Sequence, residues 1–124
     1  MLRTLRRALV PALIASLLVA SAAWAFHATL VKALPAIDGT VAAAPTTLTL
    51  WFNERPDVAL SNVRLRGPDS VLVVTAAPRA AADTMAIASE VRGALAPGVY
   101  TVLYRTAGPD GHVMRGSYKF TLQP

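Results

Sequence analysis

The chain carries two histidines, seven carboxylates and no cysteine, so few side chains are available for acid–base, nucleophilic or metal chemistry. The densest arrangement is the segment GPDGHVMRG, Gly108 to Gly116. Asp110 and His112 are separated by one glycine. In extended backbone, residues two apart project to the same side, and the freedom of Gly111 lets the two side chains converge. A carboxylate and an imidazole so placed are two arms of a metal site of a type suited to copper(II) or zinc. Asp-Gly is also a common turn, and a histidine after it is often plain surface, so the pair needs a further donor. The other histidine, His27 in AAWAFHATL, is the candidate for that role.

Other chemistries have less support. Gly-x-Ser-x-Gly and the glycine loops that cradle phosphates are absent. Glu54 and Asp57 in FNERPD read as a solvated turn with Arg55 rather than as an acid/base pair. Without cysteine there are neither disulfides nor thiolate metal sites. No catalytic step is expected.

These residues must be positioned by a small fold, since 124 residues leave room for one domain. Arg3, Arg6 and Arg7, the apolar run from Ala8 to Ala20 and the small-x-small triplet Ala23-Trp24-Ala25 read as an export signal over residues 1–26. A membrane anchor over Ala8 to Phe26 is the competing reading, about one span long. Pro11, the small residues and the cleavage triplet favour the signal. The domain is then 27–124, on the far side of a membrane and not embedded in it. Removing the signal leaves nine basic against seven acidic residues and lowers the formal charge from +5 to +2. The basic residues stand singly along the sequence, without the runs that neutralise a row of phosphates, so nucleic acid is not an expected partner.

The domain reads as strands. TLTLWF (Thr47 to Phe52) alternates Leu48, Leu50 and Phe52 against Thr47, Thr49 and Trp51, the period of a half-buried strand. SNVRLRG sets Val63 and Leu65 against Arg64 and Arg66, and TMAIASEV alternates again. GVYTVLYRT aligns Tyr100, Val102 and Tyr104, and GSYKFTL aligns Tyr118, Phe120 and Leu122. SVLVV (Ser70 to Val74) is a short apolar strand. IDGT, AAAP, NERPD, RGPDS, AAPRAAAD, LAPG and AGPDGH supply the turns. About seven short strands with this punctuation predict an all-β antiparallel sandwich or barrel. Trp51 is expected on the outer face of its strand, and Met85 in the core.

Four features in order make a whole-domain pattern: HATLVKALPAIDG at the start, LTLWFNE at the second strand, PGVYTVLYRT, and the closing DGHVMRGSYKF. Together they resemble the CopC family of periplasmic copper-binding, copper-resistance proteins along nearly the whole domain. Asp110, Gly111, His112, Gly116 and Phe120 match the family's most specific motif. The resemblance implies an Ig-like or cupredoxin-like Greek-key β-sandwich that binds one copper(II) ion. It further implies that a mature N-terminal histidine chelates through amine and imidazole, with Asp-Gly-His completing the site. Carried over, the ligands are His27, Asp110 and His112, with Glu54 as a residue near the metal that supports them. Nitrogen-rich coordination with one carboxylate suits copper(II).

The resemblance implies a monomeric periplasmic carrier or buffer in copper homeostasis and resistance, with an inner-membrane copper transporter or another copper-handling protein as partner. The alternative is a metal-free Ig-like module that binds an envelope partner through its surface. Some departures from the family stand out. A methionine-rich loop is missing, with only Met85 and Met114 in the domain, so no copper(I) site is expected; Met114, two residues past His112, is a candidate neighbour of the metal. Tyr104 stands where tryptophan is common, a change of core packing. The processing rule also pulls against the pattern. It cuts after Ala25 and leaves Phe26 first, whereas a terminal His27 needs the cut after Phe26. With Phe26 first, its amine and the amide and imidazole of His27 could still chelate copper(II).

Overall fold

The computed structural model describes residues 28–124; the expected export segment 1–26 and His27 lie outside the described residues. Two sheets pack face to face as an Ig-like, cupredoxin-like Greek-key β-sandwich. The first sheet orders β1 (Leu30–Leu34), β3 (Thr47–Phe52), β7 (Ala86–Glu90) and β6 (Arg79–Ala80). The second orders β2 (Thr40–Val41), β9 (Val113–Leu122), β8 (Gly98–Ala107), β4 (Asn62–Arg66) and β5 (Leu72–Val73). All neighbours are antiparallel except β2, which lies parallel to β9.

The alternating sequences form strands because alternation lets each bury one apolar face. Leu48, Leu50 and Phe52 of β3 and Ile87 of β7 meet Val63, Leu65, Tyr100, Val102, Tyr118, Phe120 and Leu122 from the other sheet in one core. Tyr100 stacks on Phe120, with ring centres 5.4 Å apart, and donates its hydroxyl to the Ala96 carbonyl at 2.6 Å. Phe52 meets Tyr104 edge-on at 5.8 Å. Burial raises the pKa of the Tyr100, Tyr104 and Tyr118 phenols, because an apolar surrounding disfavours the phenolate. Trp51 lies half-buried on the outer face, as its place in the alternation requires, with Lys32 Nζ 4.5 Å from the ring centre.

Several expectations change. The described residues hold nine strands rather than seven, since β1, β2 and β6 carry weak or no alternation. Arg79–Ala80, inside a segment read as a turn, pairs along β7. Only Leu72–Val73 of SVLVV enters the sheet. In β7, Ala86, Ile87, Ala88 and Ser89 are all buried; it lies between β3 and β6, and its alanines are small enough to be covered on the outer side. Met85 is half-buried just before β7, outside the core cluster.

The basic residues also differ in space from their spacing in sequence. Val63 and Leu65 face inward, so Arg64 and Arg66 face outward. The registers Asn62 with Arg105, Arg105 with Arg115 and Thr101 with Lys119 put Arg105, Arg115 and Lys119 on that same outer face.

Candidate metal centre

The Asp-Gly-His segment is the turn of the longest hairpin. Strands β8 and β9 stay in register from Gly98 with Leu122 to Ala107 with Val113, so the five residues between them are held at one end of the sandwich. Gly111 N–H closes the turn on the Gly108 carbonyl at 3.0 Å, with Gly111 at φ +79°. The Asp110 carboxylate then grips His112 twice. Its Oδ1 accepts the His112 backbone N–H at 3.1 Å, and its Oδ2 lies 2.6 Å from His112 Nδ1.

This grip fixes both electrostatics and orientation. Hydrogen bonds from the His112 ring and then its backbone N–H hold the Asp110 carboxyl below its ordinary pKa, because they stabilise the anion. With the proton on Nδ1, facing that anion, the ring's lone pair would lie on Nε2, the nitrogen that could take a metal. The His112 side chain is 69% exposed and that of Asp110 24%, so the pair is presented to solvent on a fixed turn.

The turn is braced from below. Asp57 N–H donates to the Ala107 carbonyl at 2.8 Å, and the Asp57 side chain caps the short 3-10 helix η1 (Val58–Leu60). Ser61 Oγ donates to the Asp57 carbonyl at 2.6 Å and lies 2.9 Å from the hydroxyl of Thr106, which is fully buried in β8. Arg55, Pro56 and Asp57 face Gly108, Pro109 and Gly111 across a shallow depression of about 290 Å³.

The same loop holds the start of the described chain. Asn53 Oδ1 accepts the Thr29 N–H at 2.6 Å, and Asn53 N–H returns a bond to the Thr29 carbonyl at 3.0 Å; Ala28 is 2% exposed. Ala28 and Thr29 therefore enter the fold beside the segment 53–57, which in turn touches the Asp110–His112 turn. Nothing in the sequence marks Asn53 or Thr106, because a side chain that works by bonding distant backbone or a distant hydroxyl leaves no local pattern.

Asp110 and His112 are thus brought together as expected, and His27 lies outside the described residues. Glu54 is half-buried in the bridging loop, with no hydrogen bond or ion pair to Asp110 or His112 among the described residues. Met114 is half-buried opposite Thr106. Tyr104 lies across Gly116 on the inner face. Among the described residues no three His, Asp or Glu side chains form a group that could hold a metal. The pair supplies an imidazole nitrogen and a carboxylate oxygen, a donor set that fits a divalent ion of copper(II) or zinc type once other donors join it.

Comparison with known proteins matches this architecture. A family model described as the CopC domain matches residues 30–123. Protein YobA of Escherichia coli K12 is 34% identical over 122 residues, which cover 98% of this chain and 96% of that protein. The crystal structure of CopC from Methylosinus trichosporium OB3b superposes with a TM-score of 0.72 at 32% identity, covering 79% of this chain and 95% of that one. PcoC, a methionine-rich copper resistance protein from Escherichia coli, superposes with a TM-score of 0.70 at 28% identity, covering 78% of this chain and 99% of that one. With residues 30–123 matched by the family model and a fold shared with its solved members, the chain belongs to the CopC family.

Proposed function

We propose that this protein is an exported, periplasmic copper-resistance protein that binds one copper(II) ion and acts as a carrier or buffer, without a catalytic step. The observation that carries the reading is the Asp110–His112 pair, preformed at 2.6 Å on a rigid turn, at the end of the sandwich where the described chain begins. His27 directly precedes Ala28, so His27, Asp110 and His112 are the proposed ligands. Copper relatives of known structure support copper as the cargo.

Each residue has a part. His112 offers a ring nitrogen. Asp110 orients that ring and contributes negative charge that offsets the ion's. His27 adds an imidazole and, if the cut falls after Phe26, the terminal amine. Glu54 is the proposed supporting carboxylate from the bridging loop. The methionines do not make a soft site: Met85 precedes β7 in one sheet and Met114 lies on β9 in the other.

Mass spectrometry of the N-terminus of the protein recovered from cells, combined with copper(II) titration, tests the reading. Expected are one-to-one tight binding, its loss in His112→Ala, and a large weakening when one residue is added before His27. Absence of binding at micromolar copper would overturn it and leave a metal-free Ig-like module.

A further inference from the structure

The outer face of the second sheet carries Arg64 and Arg66 on β4, Arg105 on β8, and Arg115 and Lys119 on β9. The other outward positions of these strands are Asn62, Val99, Thr101, Leu103, Val113, Ser117 and Thr121, whereas Ala107 at the end of β8 is buried. No carboxylate stands among them. None of the five cations takes part in an ion pair among the described residues, and no side-chain hydrogen bond of theirs is present there. Arg105 and Arg115 are moreover directly opposed across the β8–β9 ladder, a like-charge pairing that weakens a sheet. Over half of the domain's nine basic residues thus sit on one face, in mutual repulsion, with no ion-pair partner among the described residues.

Arg64, Arg105 and Arg115, with Asn62 and Leu103, rim a depression of about 350 Å³ whose floor includes Tyr104 and Gly116. Guanidinium groups around a dent are donors matched to phosphate oxygens. Arg66 and Lys119 lie further along the same strands, four residues beyond Arg115 in the case of Lys119, or roughly 13 Å at strand rise. One small anion cannot reach them all, so the face is suited to an array of phosphates. A nucleic acid would be expected to find aromatic platforms for its bases, and a specific protein partner aromatic or arginine anchors set in a well-packed pocket; this face presents no aromatic side chain outward, and its arginines rim an open depression. It does present Leu72 and Val99, 52% and 49% exposed, on its far side, where apolar groups can enter a headgroup layer.

We infer that this face docks the protein on a bilayer bearing anionic phospholipid, with a headgroup phosphate in the depression between Arg64, Arg105 and Arg115. The Asp110–His112 turn stands at the end of the same two strands, so docking through the face leaves the turn at the rim of the contact and open to solvent. This inference is independent of whether the turn binds copper.

Co-sedimentation of the protein recovered from cells with vesicles is the test. Vesicles of phosphatidylcholine with about one third phosphatidylglycerol should bind it at low salt, and phosphatidylcholine alone should not. Each basic side chain near an anionic surface contributes on the order of a fivefold gain, so Arg105→Gln with Arg115→Gln should weaken binding by at least about tenfold. Raising salt from 50 to 300 mM should release the protein, through screening. Arg79→Gln with Arg92→Gln, which removes charge elsewhere, should change it little. Melting temperatures of the variants confirm that they fold. Equal binding to neutral vesicles, no binding to anionic ones, or equal loss from the Arg79 and Arg92 pair would overturn the inference. So would displacement by inorganic phosphate at matched ionic strength, which indicates a free-anion site, or capture by polyglutamate without vesicle binding, which indicates an acidic protein partner.

Discussion

The phenol end of Tyr104 lies over Gly116, its partner across the β8–β9 ladder, and occupies the space where a side chain at 116 would begin. Glycine is therefore required there for room, not for backbone freedom. Gly116→Ala is expected to force Tyr104 out of its place and to cost about 1–3 kcal/mol, as overpacking does. That lowers the melting temperature by roughly 4–8 °C per kcal/mol for a domain of this size. Combining it with Tyr104→Ala should restore a good part of what each change costs alone, measurable in urea melts as a non-additive cycle.

Gly111 is the opposite case. Among the described residues no non-neighbouring atom stands within 4 Å of where its Cβ would be, yet its φ is +79°. Gly111→Ala should be tolerated sterically but strained by about 1–2 kcal/mol. Because the strain falls on the turn that sets Asp110 against His112, copper(II) affinity in a titration should fall with it, whereas Gly116→Ala should act mainly on stability.

The Asp110 carboxyl should titrate below 3.8, its ordinary value, because His112 bonds it. The sign follows from the depressed folded pKa: the pairing contributes above the ordinary carboxylate pKa and is lost as pH falls through the lower folded value. Carbon-detected NMR titration of Asp110 measures this. In His112→Ala the midpoint should move up toward the ordinary value, and an unchanged midpoint would show that the ring bond is not the cause.

Asp110→Asn keeps the size of the side chain but removes its charge and its preference for Nδ1–H. Altering a group that orients a ligating histidine typically weakens metal binding about 10–100-fold. The loss of a proposed ligand should place this variant at or beyond the upper end of that range in copper(II) titration, with a melting temperature close to that of the parent.

Asn53→Ala removes the acceptor for the Thr29 N–H at 2.6 Å. It should cost about 1 kcal/mol, the net value of such a bond, and weaken copper binding several-fold by releasing the chain next to His27. Copper affinity unchanged while stability drops would show that the anchor serves the fold alone. Thr106→Val, which breaks the bond to Ser61 at 2.9 Å, is the matching control on the opposite side of the bridging loop.

The sequence by itself determined the class of fold and the nature of the pair at the turn. Alternation in TLTLWF, NVRLR and the two long strands is a local property, since each strand must bury one face, and it marks Leu48, Leu50, Val63, Leu65, Val102 and Phe120 as core. Asp110 and His112 were legible because both donors lie within three residues and turn chemistry is local. The tertiary structure decided what depends on pairing between distant segments. Strands β2 and β6, two residues each, exist only because longer neighbours offer them hydrogen bonds. The reason Gly116 must be glycine lies twelve residues away, in Tyr104. Asn53 becomes a positioning residue only when β1 reaches it. Arginines that stand singly along the chain form one charged face because the registers of β4, β8 and β9 bring their outward positions side by side, and register is set by the shared core rather than by any one strand.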